Sequence, residues 1–244
     1  METMTQNIRE LVKSTNLKHI AIIMDGNRRW AKNRGLPSAM GHTKGVGALK
    51  ETLRACDEFG VKYLTVYAFS TENKKRPPEE VNFLMNLLGK TLESELDELS
   101  GNNARIKFLG RIDELAPKLR EIVKKSEEKT AENEGVRFQI AFNYGSRTEI
   151  LDAVRKIAED VKDGKLDVSD ISEDVFGEYL YTRGMPDPDL VIRTSGEMRI
   201  SNYLLWQNAY SEIYVTERLW PEFGREPLAE AIKNFASRQR RFGK

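Results

Sequence analysis

Three segments of the sequence combine arginine with small polar residues, and each follows a short apolar run of the kind that forms a buried strand. They are Asp25–Trp30, Ser70–Pro77 and Arg193–Ser201, with the sequences DGNRRW, STENKKRP and RTSGEMRIS. Guanidinium groups and free backbone N–H groups bind phosphate oxygens. In open α/β sheets, ligands bind beyond the carboxyl ends of the strands. The three segments therefore predict an anion site with room for more than one phosphate group.

The first segment is the most informative about chemistry. Gly26 permits a sharp turn and a close approach to a ligand, and the helix predicted to follow it presents free N–H groups to an anion. Arg29 lies one helical turn from Asp25 and could aim its guanidinium at the same anion. A carboxylate beside a phosphate is explained if Mg²⁺ bridges Asp25 and a diphosphate. The alternative is that Asp25 caps the helix and Arg29 forms a surface ion pair.

Composition and motif content argue against several classes of function. Lys and Arg together number 39 and Asp and Glu 38, without the basic excess typical of a nucleic-acid binder, so we expect no nucleic-acid partner. Neither GxxxxGK[ST] nor GxGxxG follows a predicted strand, which argues against sites for nucleoside triphosphates and dinucleotides.

The few histidine and cysteine residues restrict the kinds of metal site. His19, His42 and Cys56 are too few for a closed zinc site, so we expect any metal to be a hard cation held by carboxylates and substrate oxygens. Cys56 falls on a helical apolar stripe and is predicted to be core. A single cysteine forms no intrachain disulfide, which favours a reducing compartment and a cytoplasmic location. The polar stretch 1–18 lacks a signal-peptide core, and no run approaches the roughly 18 apolar residues of a membrane span.

Short apolar runs alternate with helical patterns, which predicts an α/β fold with a central, mainly parallel sheet of about six strands flanked by helices. We expect one domain over residues 1–244, with a polar N-terminal segment (1–18) and a C-terminal helix and tail (225–244). The predicted strands are His19–Met24, Tyr63–Phe69, Arg105–Leu109, Arg137–Phe142, Leu190–Arg193 and Ile213–Val215. Apolar residues at helical spacing predict helices over 46–56, 81–99, 150–161 and 228–236.

The helix predicted over 81–99 has an unusually wide apolar face, because Phe83 and Leu87 lie beside its main leucine stripe. One interpretation is a helix wedged between the sheet and a neighbouring helix or subunit. The other is that part of this face lines an apolar cavity.

Several blocks of the sequence, in order and spacing, resemble those of the cis-prenyltransferases of the undecaprenyl diphosphate synthase type. The blocks are His19–Ala31, Gly41-His42, Tyr67–Asn73 with Arg76-Pro77, Asn143–Arg147, Asp189–Gln207, Ala209–Tyr214 and Arg240–Gly243. The resemblance implies a homodimer with an apolar tunnel between sheet and helices. It also implies Mg²⁺-dependent, processive cis-condensation of isopentenyl diphosphate onto an allylic diphosphate, farnesyl or geranylgeranyl diphosphate. The product would be a long-chain polyprenyl diphosphate, the precursor of a lipid glycosyl carrier, and would bring the enzyme into peripheral contact with membranes.

The resemblance also implies roles for individual residues. Asp25 would lie beside Mg²⁺ and the allylic diphosphate, with Glu212 assisting the metal, and Asn73 would accept the proton. The residues implied for the allylic diphosphate are Gly26, Asn27, Arg28 and Arg29, with Trp30 and His42 at its edge. Those implied for a mobile loop linking the two sites are Ser70, Thr71, Glu72, Asn73 and Arg76. Those implied for isopentenyl diphosphate are Arg193, Arg199 and Ser201, together with Ile200. The terminal Arg241-Phe242-Gly243 would reach a partner's site or form a solvated tail.

Two positions depart from the family pattern. Ser38 stands where many members have an arginine, and Lys74 stands where many have a tryptophan and could supply charge in compensation. Two other functions stay open from the sequence, namely a non-catalytic accessory subunit of a prenyltransferase and a metal-dependent phosphatase.

Overall fold

A computed structural model describes residues 2–239 and contains one six-stranded sheet in which every neighbouring pair of strands is parallel. The strands are β1 (His19–Ile23), β2 (Tyr63–Ser70), β3 (Arg105–Leu109), β4 (Arg137–Tyr144), β5 (Leu190–Arg193) and β6 (Glu212–Val215), in the order β3-β4-β2-β1-β5-β6. All six lie where the apolar runs predicted them, with ends that differ by two residues at most. The predicted α/β fold is confirmed.

Eight α-helices connect or flank the strands in residues 2–239. They are α1 (Glu2–Ser14), α2 (Asn27–Lys32), α3 (Ser38–Phe59), α4 (Pro78–Gly101), α5 (Pro117–Lys129), α6 (Ser146–Lys162), α7 (Glu173–Glu178) and α8 (Arg225–Ala236). Short 3₁₀ helices occupy Thr71–Lys75, Ile112–Glu114, Val168–Asp170 and Trp220–Glu222. None of the helices in this described part is long and apolar enough to cross a bilayer.

The sequence analysis missed three helices. The six-residue α7 buries none of its residues, whereas α1 and α5 were missed for a different reason that they share. In α1 only Ile8 and Val12 are buried, and in α5 the buried apolar residues are Leu119 and Val123. Each pair is four residues apart and so lies on one helical face. The remaining positions are mostly charged or polar. Two apolar residues among them give too weak a periodic pattern to predict a helix from the sequence. Within the predicted polar segment, Glu2–Ser14 therefore form an amphipathic helix that packs against α3 and α8.

The centre of the sheet is buried on both faces. All five residues of β1 are buried, and their side chains alternate between two apolar clusters. Ile20 and Ile22 face the cluster formed with α1, α3, α4, α5 and α8, whereas Ala21 and Ile23 face the smaller cluster that contains Tyr144. Cys56 of α3 lies in the first cluster, as predicted, and burial raises the pKa of its thiol.

His19, at the start of β1, is a buried member of this central strand rather than a ligand-binding residue. Its Nδ1 lies 2.7 Å from the carbonyl oxygen of Pro186, and its Nε2 lies 2.7 Å from Thr65 Oγ1. Burial lowers the pKa of His19 to about 4, from an ordinary value of 6.5. The imidazole is therefore neutral in the folded protein at neutral pH.

We predict that folding stability falls as pH is lowered from 6.5 towards 4, partly because of His19. In that window the unfolded chain binds a proton that the folded chain does not, so lowering the pH favours unfolding by up to about 1.4 kcal/mol per pH unit for this group. Urea unfolding between pH 7.5 and 4.5 should give a shallower pH dependence for His19→Gln than for the unsubstituted chain. Parallel curves for the two proteins would contradict the assignment.

Candidate active site

The three arginine-bearing segments lie side by side at the carboxyl edge of the sheet. They follow β1, β2 and β5, and β1 is hydrogen-bonded to both of the other strands. Because all the strands are parallel, their carboxyl ends meet at the same edge. The structure thus brings together Asp25–Trp30, Ser70–Pro77 and Arg193–Ser201.

Asp25 and Arg193 form an ion pair at the centre of this edge. Arg193 Nη2 donates to Asp25 Oδ2 over 2.7 Å, and the Arg193 side chain is only 5% exposed, against 33% for Asp25. The hydroxyl of Thr194 donates to the carbonyl oxygen of Asp25 and accepts a hydrogen bond from its N–H. The residue that caps α2 is Gly26, at φ 106°. Asp25 is therefore not the helix cap that the sequence allowed, and its carboxylate faces the site.

Arg193 also holds the segment between β5 and β6. Its Nη1 donates to the hydroxyl of Ser201 over 2.8 Å and to the carbonyl oxygen of Arg199. Four non-glycine residues of this segment, Ser195, Ser201, Asn202 and Leu204, have positive φ angles between 47° and 74°. Such conformations cost free energy and concentrate at functional sites. The hydrogen bonds from the buried Arg193 side chain help to hold the segment in this strained form.

Glu197 pairs with two of the predicted diphosphate ligands. Its carboxylate lies 2.7 Å from Arg29 Nη2 and 2.5 Å from Arg199 Nη1, and Arg29 also donates to the carbonyl oxygen of Ser195. Hydrogen bonds from Arg29 and Arg199 lower the pKa of Glu197. The ion pair that the sequence allowed for Arg29 is thus present, and it orients the guanidinium along the rim of the site. The sequence analysis missed Glu197, although it lies between two predicted ligands.

Two adjacent hollows open at this edge. One measures about 280 Å³ and is lined by Asp25–Arg29, His42 and Arg76. The other measures about 310 Å³ and is lined by Arg193, Arg199, Ser201, Ser70 and Asn73 among others. Both hollows contain Asp25, Asn27, His42 and Arg76 in their walls. A cationic rim around two joined hollows suits two anions that bind next to each other.

Several buried polar atoms in these walls have no hydrogen-bond partner among the described residues. They are Asn27 Oδ1, His42 Nε2 and Arg193 Nε. Burial and the nearby Arg76 lower the pKa of His42 to about 4, so the ring is neutral at pH 7 even though Glu80 lies 3.8 Å away. Unpaired buried polar atoms cost free energy. Their presence here indicates that a polar ligand completes the site.

The segment after β2 is a 3₁₀ turn with a capping box. The Ser70 hydroxyl accepts from the Asn73 N–H, and Asn73 Oδ1 accepts from the Ser70 N–H. Arg76 pairs with Glu80 over 2.9 Å. Glu72 accepts two hydrogen bonds, one at Oε2 from the Thr71 hydroxyl and one at Oε1 from the side chain of Asn202. In this conformation the Asn73 amide oxygen is occupied by the capping interaction.

Asn202 is a further residue that the sequence analysis did not single out. Its Oδ1 accepts from the N–H of Arg147 and its carbonyl oxygen accepts from the N–H of Ser146, both at the start of α6. Together with the bond to Glu72, these contacts tie the segment after β5 to those after β2 and β4. Its position directly after Ser201, inside a recognised block, was the available signal.

One predicted site residue, Glu212, lies away from this edge of the sheet. Glu212 begins β6 and is in register with Leu190, at the amino edge of the sheet, where it pairs with Arg238 over 2.7 Å. At about 3.3 Å per strand residue, this places it more than about 10 Å from the edge where Asp25 lies. Within one chain, Glu212 therefore does not join Asp25 at a metal site. In a parallel sheet all strands start at one edge and end at the other, so a residue at the start of β6 lies opposite the edge that carries the site.

The remaining predicted residues lie around the rim. Arg28 Nη1 lies 3.8 Å from Glu80 Oε2. The Arg34 guanidinium stacks on the Trp30 ring, and Ile200 packs against the smaller apolar cluster. Of the two departures from the family pattern, Ser38 is exposed at the start of α3. Lys74 pairs with Glu114 over 2.7 Å, so its charge is directed towards that carboxylate. The segment Arg241-Phe242-Gly243 lies outside the described residues.

Among residues 2–239, Asp25 is the one acidic residue that lines the two hollows and so the candidate metal ligand at this edge. Within residues 2–239 no cluster of three or more histidine, cysteine or acidic residues could hold a metal by itself. Mg²⁺ commonly binds through one or two carboxylates and the oxygens of a phosphate substrate. Asp25 between two anion hollows fits that mode of binding.

An apolar cavity of about 140 Å³ opens next to the hollows, between the sheet and helices α3 and α4. Met24, Asn27 and His42 line both the cavity and the hollows. Its remaining walls are mostly apolar side chains of α3, α4, β2 and β4, including Val46, Leu49, Ala68, Leu84, Leu88, Leu92 and Phe142. Leu87 of the wide apolar face lines the cavity, whereas Phe83 packs against the main apolar cluster and α4 also contacts α5. The face therefore fits both interpretations, a helix wedged against a neighbour and a cavity wall.

Comparison with known proteins agrees with this arrangement. A sequence model described as "Putative undecaprenyl diphosphate synthase" matches residues 23–243. The chain is 51% identical over 233 residues to an isoprenyl transferase of Clostridium perfringens, covering 96% of this chain and 92% of the relative. It is 47% identical over 241 residues to the Micrococcus luteus "ditrans,polycis-undecaprenyl-diphosphate synthase ((2E,6E)-farnesyl-diphosphate specific)", covering 96% and 97%. The chain belongs to the cis-prenyltransferase family.

A solved structure supports the same assignment. The lavandulyl diphosphate synthase of Lavandula x intermedia, crystallised with dimethylallyl diphosphate, superposes with a TM-score of 0.91 at 38% identity, covering 93% of this chain and 98% of the other. The chain is thus a prenyltransferase enzyme by family and fold. The resemblance inferred from the sequence blocks is confirmed.

The cis-prenyltransferase site depends on a close approach of α3 to α2. A Cβ atom at Gly41 would collide with the carbonyl oxygen of Asn27, and one at Gly45 would collide with the Asn27 side chain and Trp220. The two glycines lie one helical turn apart, so they form a strip on which α2 rests. This contact holds Asn27 in the wall of both hollows and of the apolar cavity.

We predict that Gly41→Ala destabilises the protein by about 1–3 kcal/mol, because the added methyl group forces α2 and α3 apart. Gly47→Ala is the matched control on the same helix, since nothing lies within 4 Å of a Cβ there, and it should stabilise the helix by about 0.5–1 kcal/mol. Denaturant unfolding of the two variants measures both effects. Equal stabilities would show that the glycine strip is not under steric constraint.

Proposed function

We propose that the protein adds isopentenyl diphosphate units repeatedly to an allylic diphosphate and forms a cis-polyprenyl diphosphate. The observation that carries this proposal is that two anion hollows sharing Asp25 open next to one apolar cavity. Each of the two substrates has a diphosphate group, and the growing product has an apolar tail. The two hollows match the two diphosphate groups, and the apolar cavity matches the tail. The farnesyl diphosphate specificity in the name of the Micrococcus luteus relative supports farnesyl diphosphate as a primer, with geranylgeranyl diphosphate as the alternative.

The hollow beside α2 suits the allylic diphosphate. It is formed by Gly26, Asn27, Arg28 and Arg29 at the start of α2, so it combines backbone N–H groups with guanidinium groups. When the allylic carbon–oxygen bond breaks, negative charge develops on the departing diphosphate. Cations already fixed in position stabilise that charge more than they stabilise the intact substrate.

The hollow beside β5 suits isopentenyl diphosphate. Arg193, Arg199 and Ser201 line it, and Ser70 and Asn73 form its opposite wall. The double bond of isopentenyl diphosphate attacks the allylic carbon as the carbon–oxygen bond to the departing diphosphate breaks. A proton then passes from the second carbon of isopentenyl diphosphate to a base, which the released diphosphate can supply. Asn73 stays a prediction for this proton transfer. Because an amide is a weak base and its oxygen already accepts from Ser70, we propose that Asn73 orients the substrate.

We propose that Asp25, with oxygens of the allylic diphosphate, holds Mg²⁺. When bound, the ion supplies positive charge that stabilises the departing diphosphate. Arg193 donates to one oxygen of the Asp25 carboxylate and so fixes its orientation towards the hollows. Glu212 is not part of this proposal for a single chain, because it lies at the opposite edge.

We propose that the apolar cavity accommodates the growing chain. Each buried CH₂ group contributes about 0.8 kcal/mol to binding, so the tail added in each cycle helps to keep the intermediate bound. The cavity also excludes water from the cationic carbon, which water would otherwise capture. A long-chain product would serve as the precursor of a lipid glycosyl carrier, and its tail would bring the enzyme to a membrane surface. A cytoplasmic location likewise stays a prediction.

We predict that the purified protein incorporates labelled isopentenyl diphosphate into chains of many isoprene units when an allylic primer and Mg²⁺ are present. Asp25→Ala should reduce turnover by about 10²–10³-fold, as expected for loss of a fixed electrostatic group. Asp25→Asn, which can retain a hydrogen bond from Arg193, distinguishes loss of charge from loss of the fold. Asp170→Ala, at an exposed carboxylate, should leave turnover unchanged.

Other results of that assay identify the alternatives. Release of inorganic phosphate without chain growth would indicate a phosphatase. Absence of activity with every allylic primer, in a folded protein, would indicate an accessory subunit. Full activity of Asp25→Ala would refute the assigned role of Asp25.

We also propose that the chain forms a homodimer through the face that carries α6 and β6. Apolar side chains are exposed there, including Leu151, Val154, Trp206, Tyr210 and Ile213. Contiguous exposed apolar side chains mark association surfaces. Light scattering should give twice the 28.0 kDa chain mass, and a Val154→Glu substitution should yield the monomer. A monomeric mass for the unsubstituted protein at micromolar concentration would contradict the proposal.

A further inference from the structure

A network of ion pairs joins α3 and α4 on the wall of the apolar cavity. Lys50 Nζ lies 2.6 Å from Glu95 Oε2 and 2.9 Å from Glu98 Oε2, and Arg54 also pairs with Glu98. Lys50 and Glu95 are each about three-quarters buried and both line the cavity, whose other walls are mostly apolar. Hydrogen bonds from Lys50 and Arg54 lower the pKa of Glu98 to about 2, so the network is charged at neutral pH.

The ion pairs lie well inside the cavity. Both helices begin at the carboxyl edge of the sheet and run towards its amino edge, because α3 leads into β2 and α4 into β3. His42 and Leu84 line the hollow at the mouth. At about 1.5 Å per helical residue, Lys50 is about 12 Å beyond His42, and Glu95 is about 16 Å beyond Leu84. A chain that grows inward from the diphosphate hollows therefore meets Lys50 and Glu95 from the mouth side.

A further hollow, separate from the two at the active site and of about 380 Å³, lies on the far side of the network. It shares Lys50, Leu53 and Leu99 with the apolar cavity. Its other walls are largely polar and include Arg54, Asp57, Glu58, Glu98 and Asn102. The ion pairs thus lie between an apolar space that opens at the substrate site and a polar space near the amino edge of the sheet.

We propose that the ion pairs of Lys50 with Glu95 and Glu98 determine the length of the product, and this inference rests on the function proposed above. An apolar chain that passes the network must either separate the charges or remove water from them, and both are unfavourable. Apolar residues at the same positions would instead favour a longer chain. Elongation stops when the free energy gained from another buried unit no longer exceeds the cost of displacing the ion pairs.

The test compares product lengths, by reversed-phase thin-layer chromatography and mass spectrometry, for the unsubstituted protein and Lys50→Met/Glu95→Met. The double variant replaces both charges with apolar side chains of similar length, so we expect products longer by at least one isoprene unit. Lys50→Arg, which keeps the cation, should give the original lengths. Arg54→Met, outside the apolar cavity, should also give the original lengths.

An unchanged length distribution in a folded double variant, or a shift to shorter products, would overturn the inference. Thermal unfolding shows whether the double variant folds. If it does not, Lys50→Met/Glu95→Gln replaces it, because glutamine removes the charge of Glu95 but keeps a polar side chain of the same size, and its product lengths are compared in the same way. The two proposals fail separately. Absence of chain growth by the unsubstituted protein refutes the proposed function, whereas chain growth with equal lengths in all variants refutes only the role of the ion pairs.

Discussion

The ion pair between Asp25 and Arg193 is the interaction on which the site depends. A guanidinium that is 5% exposed is costly to bury without partners, and Arg193 satisfies its terminal nitrogens with the Asp25 carboxylate, the Ser201 hydroxyl and a backbone carbonyl. These bonds fasten the strained segment after β5 to the end of β1. The positive φ angles of Ser195 and Ser201 are sustained by this anchoring. One buried cation thereby links Asp25, which lines both hollows, to the segment that lines the second hollow.

Helices α3 and α4 contribute to both ends of the proposed reaction path. Near the carboxyl edge, α3 supplies His42 and the glycine strip that seats α2, while α4 supplies Glu80, which pairs with Arg76. Further along, the same helices supply the apolar walls and then the ion pairs of Lys50. A helix is stiff along its length. The distance between the diphosphate hollows and the far wall of the cavity is therefore fixed. A fixed separation of this kind is what a length-determining site requires.

Sequence patterns located the strands well and some helices poorly. Strands buried on both faces read as continuous apolar runs, as β1 and β5 do. Helices α1 and α5 each bury a single narrow stripe, so their sequences are dominated by polar residues. The sites at strand ends followed from the parallel arrangement alone. The sequence did not show that Glu212 begins β6 and so lies, within one chain, at the edge of the sheet opposite Asp25. Its role at the metal stays a prediction.

By itself the sequence determined that arginine-rich segments follow three strands, that these strands are parallel, and hence that an anion site lies at one edge of the sheet. Residue types and chain order suffice for that, because parallel strands all end on the same side. Only the tertiary structure decided that β1 lies between β2 and β5, that Glu197 rather than a neighbouring residue orients Arg29, and that Lys74 pairs with Glu114. It also decided where Lys50 meets Glu95, because the two residues are 45 positions apart in the chain and their contact depends on how α3 and α4 pack beside the cavity.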